Sequence, residues 1–131
     1  LFGRARSDVV ARSAARSAET SPAELTRLAK HAEAIVRRAV AANPAAPKSA
    51  LERLAKDTDP QVRVALAANP ATPAQALRTL AGTGSGGGFA RVARRKALLL
   101  VADHPNASPD LLRRLASDED VLVARRAAAR T

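Results

Sequence analysis

The chain has no cysteine, methionine, tryptophan or tyrosine, and only two phenylalanines in 131 residues. Without cysteine, this stretch holds no disulfide, thiolate metal site or iron–sulfur cluster. Without an aromatic platform it has nothing on which to stack the bases of a single strand. No apolar run approaches about 18 residues, so no helix is expected to cross a bilayer. No apolar segment follows a basic amino end, so no secretory signal is read; the expected compartment is the cytoplasm. No stretch alternates with period two, so no sheet is expected.

What remains is alanine and arginine. Apolar residues make up 47% of the chain, and alanine dominates them. Small side chains let helices approach closely but bury little area each. At about 25 cal/mol per Å2 of apolar surface, one short helical unit does not offset its own ordering entropy. Lys and Arg number 22 against 12 Asp and Glu, a formal net charge of +10, and nearly all of the excess is Arg. Such a balance points to an acidic partner, either a protein surface or another polyanion. Simple solubility is the alternative account.

The arrangement of these residues is periodic. Val36-Arg37-Arg38-Ala39-Val40-Ala41-Ala42-Asn43-Pro44 returns as Val62-Arg63-Val64-Ala65-Leu66-Ala67-Ala68-Asn69-Pro70. A Leu-x-x-Leu-Ala element recurs at 25–29, 51–55, 77–81 and 112–116. A fixed period of this size means stacked units rather than a globule around one centre.

Each unit reads as two short helices. The paired leucines fall at i and i+3, with Ala at i+4, on one helical stripe. Ser21-Pro22-Ala23-Glu24 and Thr72-Pro73-Ala74-Gln75 predict capping boxes, and Ser108-Pro109 keeps the cap and the proline. Ala46-Pro47 has lost the hydroxyl, which predicts a weaker start. In the other half, Asp59-Pro60 opens a helix, and Asn43-Pro44, Asn69-Pro70 and His104-Pro105 close three. Val10, Val92 and Val123 are expected to start first-half helices in a shifted register, and the run from Val92 to His104 gains a turn or more. The expected units are 7–34, 35–61, 62–88 with a glycine-rich insertion at 82–88, 89–122, and a partial unit at 123–131. The absence of an initiator Met and of polar end caps leads us to expect a piece of a longer protein.

These residues resemble the leucine-rich repeat variant family, a bacterial α-solenoid. The shared pattern is Val-Arg-x-Ala-Val/Leu-Ala-Ala-Asn-Pro-x-x-Pro, then Leu-x-x-Leu-Ala, then Asp-x-Asp. It is strongest at residues 33–81. The resemblance implies alternating α- and 3₁₀-helices in a right-handed superhelix and implies no enzymatic activity. A cysteine-rich cluster segment found in a family member has no counterpart here, and no cofactor is expected.

Several constellations carry candidate roles. Arg12, Arg37 and Arg63 each follow an acid by four residues (Asp8, Glu33 and Asp59), a spacing that predicts one acid–arginine pair per unit in a ladder tying successive units. Arg27, Arg53, Arg78, Arg113 and Arg114 lie between the paired leucines and are expected to line up as an exposed rail, with Arg38, Arg95 and Arg126 as a second. A row of guanidiniums suits carboxylates or phosphates. The asparagines before proline, and His104 in their place, are expected to bond turn backbone groups. His31 aligns with Asp57 and Asp118 in the acidic turns. Asp57, Asp59, Asp118, Glu119 and Asp120 lack the glycine and terminal glutamate of a calcium loop. The segment Gly82-Thr83-Gly84-Ser85-Gly86-Gly87-Gly88 has linker composition and lacks the Gly-Lys-Ser/Thr ending of a phosphate loop. No nucleophile has a base nearby in sequence, and no metal set is found.

The reading is an all-α, right-handed solenoid of about four and a half units. Its expected role is a non-enzymatic scaffold that binds an acidic protein through an extended basic surface. The alternative is sequence-independent binding of nucleic acid through phosphate contacts.

Overall fold

Paired leucines on one helix and a valine stripe on the next can bury both faces only by packing against each other and against the following pair. The computed structural model shows this arrangement. It describes residues 2–82 and 89–131, with side chains described for 9–82 and 90–131. Among the described residues there are nine helices and no strand: α1 (Phe2–Arg16), α2 (Pro22–Leu28), α3 (Ala34–Ala42), α4 (Lys48–Leu54), α5 (Pro60–Ala68), α6 (Ala74–Ala81), α7 (Phe89–Asp103), α8 (Pro109–Leu115) and α9 (Val121–Ala128). The odd-numbered helices stack in order, α1 on α3, α3 on α5, α5 on α7 and α7 on α9. In the second layer α2 packs on α4 and α4 on α6.

The core is one continuous cluster between these layers. The even helices supply Leu25, Leu28, Leu51, Leu54, Leu77, Leu80, Leu112 and Leu115, all buried. The odd helices supply Val36, Val40, Val62, Leu66, Leu98, Val101 and Val123, also buried. Fully burying such a side chain contributes roughly 1.5–3 kcal/mol, so a helix of seven residues is held by its two leucines. Buried Ala29, Ala41, Ala55 and Ala67 leave room for the helices to approach.

Local chemistry explains most boundaries. Ser21 Oγ accepts from the Glu24 amide at 3.2 Å, and Ser108 Oγ from the Leu111 amide at 3.2 Å. Asp59 Oδ1 accepts from the Gln61 and Val62 amides at 2.8 and 3.3 Å. Helix α4 begins without a side-chain cap, as the loss of the hydroxyl at Ala46 predicts. The capping box at Thr72 does not form. Thr72 is fully buried, and its hydroxyl donates to the Leu66 carbonyl at 2.6 Å, satisfying a free acceptor at the end of α5. Helix α6 starts uncapped after Pro73. At Ser21 only half of the box forms, because the Glu24 carboxylate pairs with Arg27 instead of reaching back.

Where the family resemblance implies 3₁₀ turns, the described second-half helices are α-helical. They close with i→i+3 bonds such as Lys30 N to Arg27 O at 3.1 Å, which tighten only the last turn. The longer run before His104 does form a longer helix: α7 has 15 residues where α3 and α5 have nine. The Val-Ala-Arg starts do not share one register. Helices α1, α7 and α9 all begin before Val10, Val92 and Val123; the first two valines are exposed, at 61% and 65%, and Val123, in the first turn of α9, is buried.

Candidate functional site

Two ladders run along the stack and position everything on its surface. The first is ionic. Arg12 reaches Glu33 at 3.2 Å, Arg37 reaches Asp57 at 2.7 Å and Arg94 reaches Asp118 at 2.9 Å. The pairing therefore joins each arginine to the acidic turn of the next helix pair, not to the acid four residues before it. The i,i+4 pairs Glu33–Arg37 and Asp59–Arg63 do not form, and Asp8 lies outside the residues whose side chains are described. The reason is local: Asp59 is engaged in capping α5, while each arginine points along the stack. Arg63 follows the same path as far as the Asp57 carbonyl, at 3.0 Å, and meets no carboxylate among the described residues.

The second ladder is made of amides, and sequence reasoning found only half of it. Asn43 Oδ1 and Asn69 Oδ1 accept from the amides two residues on, each at 2.9 Å, as the turn chemistry predicts. Their Nδ2 groups reach into the preceding helix pair. Asn43 donates to the Ala15 and Ser17 carbonyls at 2.9 Å, and Asn69 to the Ala41 and Asn43 carbonyls at 2.8 and 3.1 Å. His104 keeps this logic: Nδ1 accepts from the Asn106 amide at 3.0 Å, and Nε2 donates to the Asn69 carbonyl at 2.8 Å. Asn106 adds a bond to the Thr72 carbonyl at 2.9 Å. Arg130 completes the series, donating to the Ala102 and His104 carbonyls. Helix-end carbonyls lack intrahelical partners, so each of these side chains satisfies acceptors that stacking removes from water. The signal in the sequence was the 26-residue return of Asn-Pro; which atoms it joined was not readable.

His31 occupies the position of the acidic turns. Its Nδ1 accepts from the Glu33 amide at 3.0 Å, just as Asp57 and Asp118 accept from Asp59 and Asp120 at 2.9 Å. It is a turn residue, and no group of three potential metal ligands occurs among the described residues.

The ionic contacts set the charge states. Arg37 and Arg94 are held above the ordinary arginine value by hydrogen bonds to Asp57 and Asp118, which outweigh the opposing effect of burial. Burial pushes the Asp118 carboxyl up, but hydrogen bonds from Arg94 and the Asp120 amide bring it below its ordinary 3.8. Asp120 is lowered by its hydrogen bond from Arg95 against the opposing effect of burial. A carboxyl depressed on folding stabilises the fold above its unfolded value, and that contribution is lost as pH falls through the folded value. The thermal midpoint is therefore expected to be level from pH 7 to 5 and to drop below about pH 4. An Asp118→Asn/Asp120→Asn chain should start lower and flatten the acid limb in a circular-dichroism titration.

The predicted rail sits on the second layer. Arg27, Arg53, Arg78, Arg113 and Arg114 are all exposed. They do not share a single position. Arg27, Arg53 and Arg114 lie just before the second leucine of each element, with Thr79 between them; Arg78 and Arg113 lie one residue earlier. Arg27 pairs with Glu24 and Arg113 with Asp110, both within one helix. Arg53, Arg78 and Arg114 have no carboxylate partner among the described residues. The Arg114 guanidinium comes within 3.9 Å of where a side chain at Gly82 would begin, so it reaches over the end of α6. Beside Arg53 lies an open cavity of about 430 Å3, lined also by Lys30, His31, Lys56 and the Arg37–Asp57 pair. The second predicted rail is mostly neutralised: Arg95 pairs with Asp120 and Arg126 with Asp103, each at 2.7 Å, while Arg38 has no carboxylate partner among the described residues.

No described helix is long and apolar enough to cross a membrane. No curated protein and no solved structure shows significant similarity to the chain. A periodic helix pair, leucines at i and i+3, and an Asn-Pro turn locked onto the pair before it recur through the described residues. Residues 10–69 match the Leucine Rich Repeat Variant domain, and over this stretch the chain is similar to that family.

Proposed function

We propose that this chain is a non-enzymatic scaffold that binds an acidic protein surface through the basic face of its second helix layer. The supporting observation is that Arg53, Arg78 and Arg114 are exposed without carboxylate partners among the described residues, and that Arg53 lies beside a cavity also lined by Lys30 and Lys56. Guanidiniums spaced by stacked helices engage a polyanion at several points, and linked weak contacts multiply. The ladder arginines Arg12, Arg37 and Arg94 are occupied in holding the stack and take no part.

The test uses polyglutamate and random duplex DNA as probes at low salt. The Arg53→Glu/Arg78→Glu/Arg114→Glu chain should bind polyglutamate at least tenfold more weakly than the parent. A control with the same charge change in the first layer, Arg91→Glu/Lys96→Glu/Arg125→Glu, should keep most of the affinity. Equal losses in both chains, or none in the first, would remove the assignment. Tighter binding to duplex than to polyglutamate, with affinity falling steeply with salt, would replace it with phosphate recognition.

A further inference from the structure

The first helix layer carries a second kind of surface. Between α1 and α3 lies a groove of about 320 Å3, floored by Ile35, Ala39, Ala42 and Pro44 and flanked by Arg16 and Arg38. Both arginines are exposed, Ile35 is 40% exposed, and neither guanidinium has a carboxylate partner among the described residues. The corresponding places along the stack differ. Arg16, Ala42, Ala68 and Asp103 are the last residues of α1, α3, α5 and α7. Counted from the buried valine at 36, 62 or 123, Arg38 corresponds to Val64 and Arg125, and Ala39 to Ala65 and Arg126. Between α3 and α5, therefore, Ala42 replaces the first arginine and the buried Val64 replaces the second. Between α7 and α9, Asp103 and Arg126 close the same place with an ion pair. Between α1 and α3 nothing among the described residues fills or neutralises it.

We infer that the α1–α3 groove binds a short acidic peptide, seating one aliphatic or aromatic side chain on Ile35, Ala39 and Ala42 while flanking carboxylates pair with Arg16 and Arg38. Charge complementarity selects this occupant. Two uncompensated cations repel a basic segment, and an apolar floor between them gains nothing from a bare anion. Each guanidinium offers a planar fork that a carboxylate matches in two bonds. A volume at the lower end of ligand cavities fits a few side chains rather than a large cofactor. The inference shares with the proposed function only the premise of partner binding; it uses the opposite layer and different residues.

The probe is a displayed library of random 12-residue peptides selected on the whole chain. Selection should enrich peptides with an apolar residue between Asp or Glu residues. Their affinity should fall at least tenfold on Arg16→Glu/Arg38→Glu. It should fall similarly on Arg16→Asp/Ala39→Arg, which installs the Asp103–Arg126 pair in the groove. Circular dichroism of both chains should match the parent. The Arg53→Glu/Arg78→Glu/Arg114→Glu chain should bind these peptides normally. Selection with no acidic–apolar pattern, or peptides indifferent to the two groove variants, would overturn the assignment. Peptides lost only on the second-layer variant would overturn it while leaving the basic-face reading standing.

Discussion

Replacing Asn69 by alanine is expected to lower the unfolding free energy by about 2–4 kcal/mol. The substitution removes Nδ2 from the Ala41 and Asn43 carbonyls and Oδ1 from the Ala71 amide. Asn69 is only 2% exposed, so water does not readily replace the lost partners. Asn69→Asp separates the two roles of the side chain. It keeps an acceptor for the Ala71 amide but sets a carboxylate oxygen against two carbonyls, so at pH 7 it should be the worse substitution. Folding raises the pKa of such a carboxyl. The extra penalty is therefore absent below the unfolded carboxyl value, near about 4, and grows as pH rises through the folded value. Urea unfolding of the two variants at pH 4 and pH 7 checks the sign: the gap between them should open with rising pH. A gap that stays constant would mean that the Nδ2 contacts do not form.

Leu66→Ala should cost about 3–4 kcal/mol, within the range for large-to-small changes in a packed core. Leu66 is fully buried in α5, which packs on both α3 and α7. The core holds few large residues beyond one stripe per helix, so neighbouring alanines cannot extend to fill the void. In a stack whose stability is a sum of unit and interface contributions, this loss falls on the junction between the two halves. The denaturant slope should therefore fall along with the midpoint, as the halves begin to unfold separately. An exposed change such as Arg78→Ala should stay within about 0.5 kcal/mol. A Leu66→Ala effect of that same size would contradict the placement of Leu66.

These outcomes also mark what the sequence made legible. Leu25 and Leu28, three residues apart, could only share a helical stripe, and both are buried. Asp59-Pro60 and Asn69-Pro70 set the ends of α5 because a carboxylate cap, a first-position proline and a pre-proline residue act locally. Thr72 looked like a cap by the same rules, but burial against the Leu66 carbonyl won. Arginines tying successive units were readable at Arg12 and Arg37, whereas Arg63 finds no carboxylate among the described residues. The direction of the pairing was not readable, because the spacing from Arg37 back to Glu33 and the reach from Arg37 forward to Asp57 become different geometries only once the units stack. The same holds for the site. Exposure of Arg53 and Arg114 followed from the apolar stripe beside them, whereas the pairing of Arg95 and Arg126 with Asp120 and Asp103 required the stack itself. The α1–α3 groove had no sequence signal, since it arises from what Val64 and Asp103 do in neighbouring places.

The central claim is that helix pairs are locked to the ones before them through the side chains before proline, the amides of Asn43 and Asn69 and the imidazole of His104. Hydrogen exchange of side-chain amides in a ¹⁵N-labelled chain measures this most directly. The Nδ2 protons of Asn43 and Asn69 should exchange far more slowly than those of exposed Gln75, and with protection close to that of the backbone amides of α5. Asn43 and Asn69 side-chain protons exchanging as fast as those of Gln75, in a folded chain, would contradict the account.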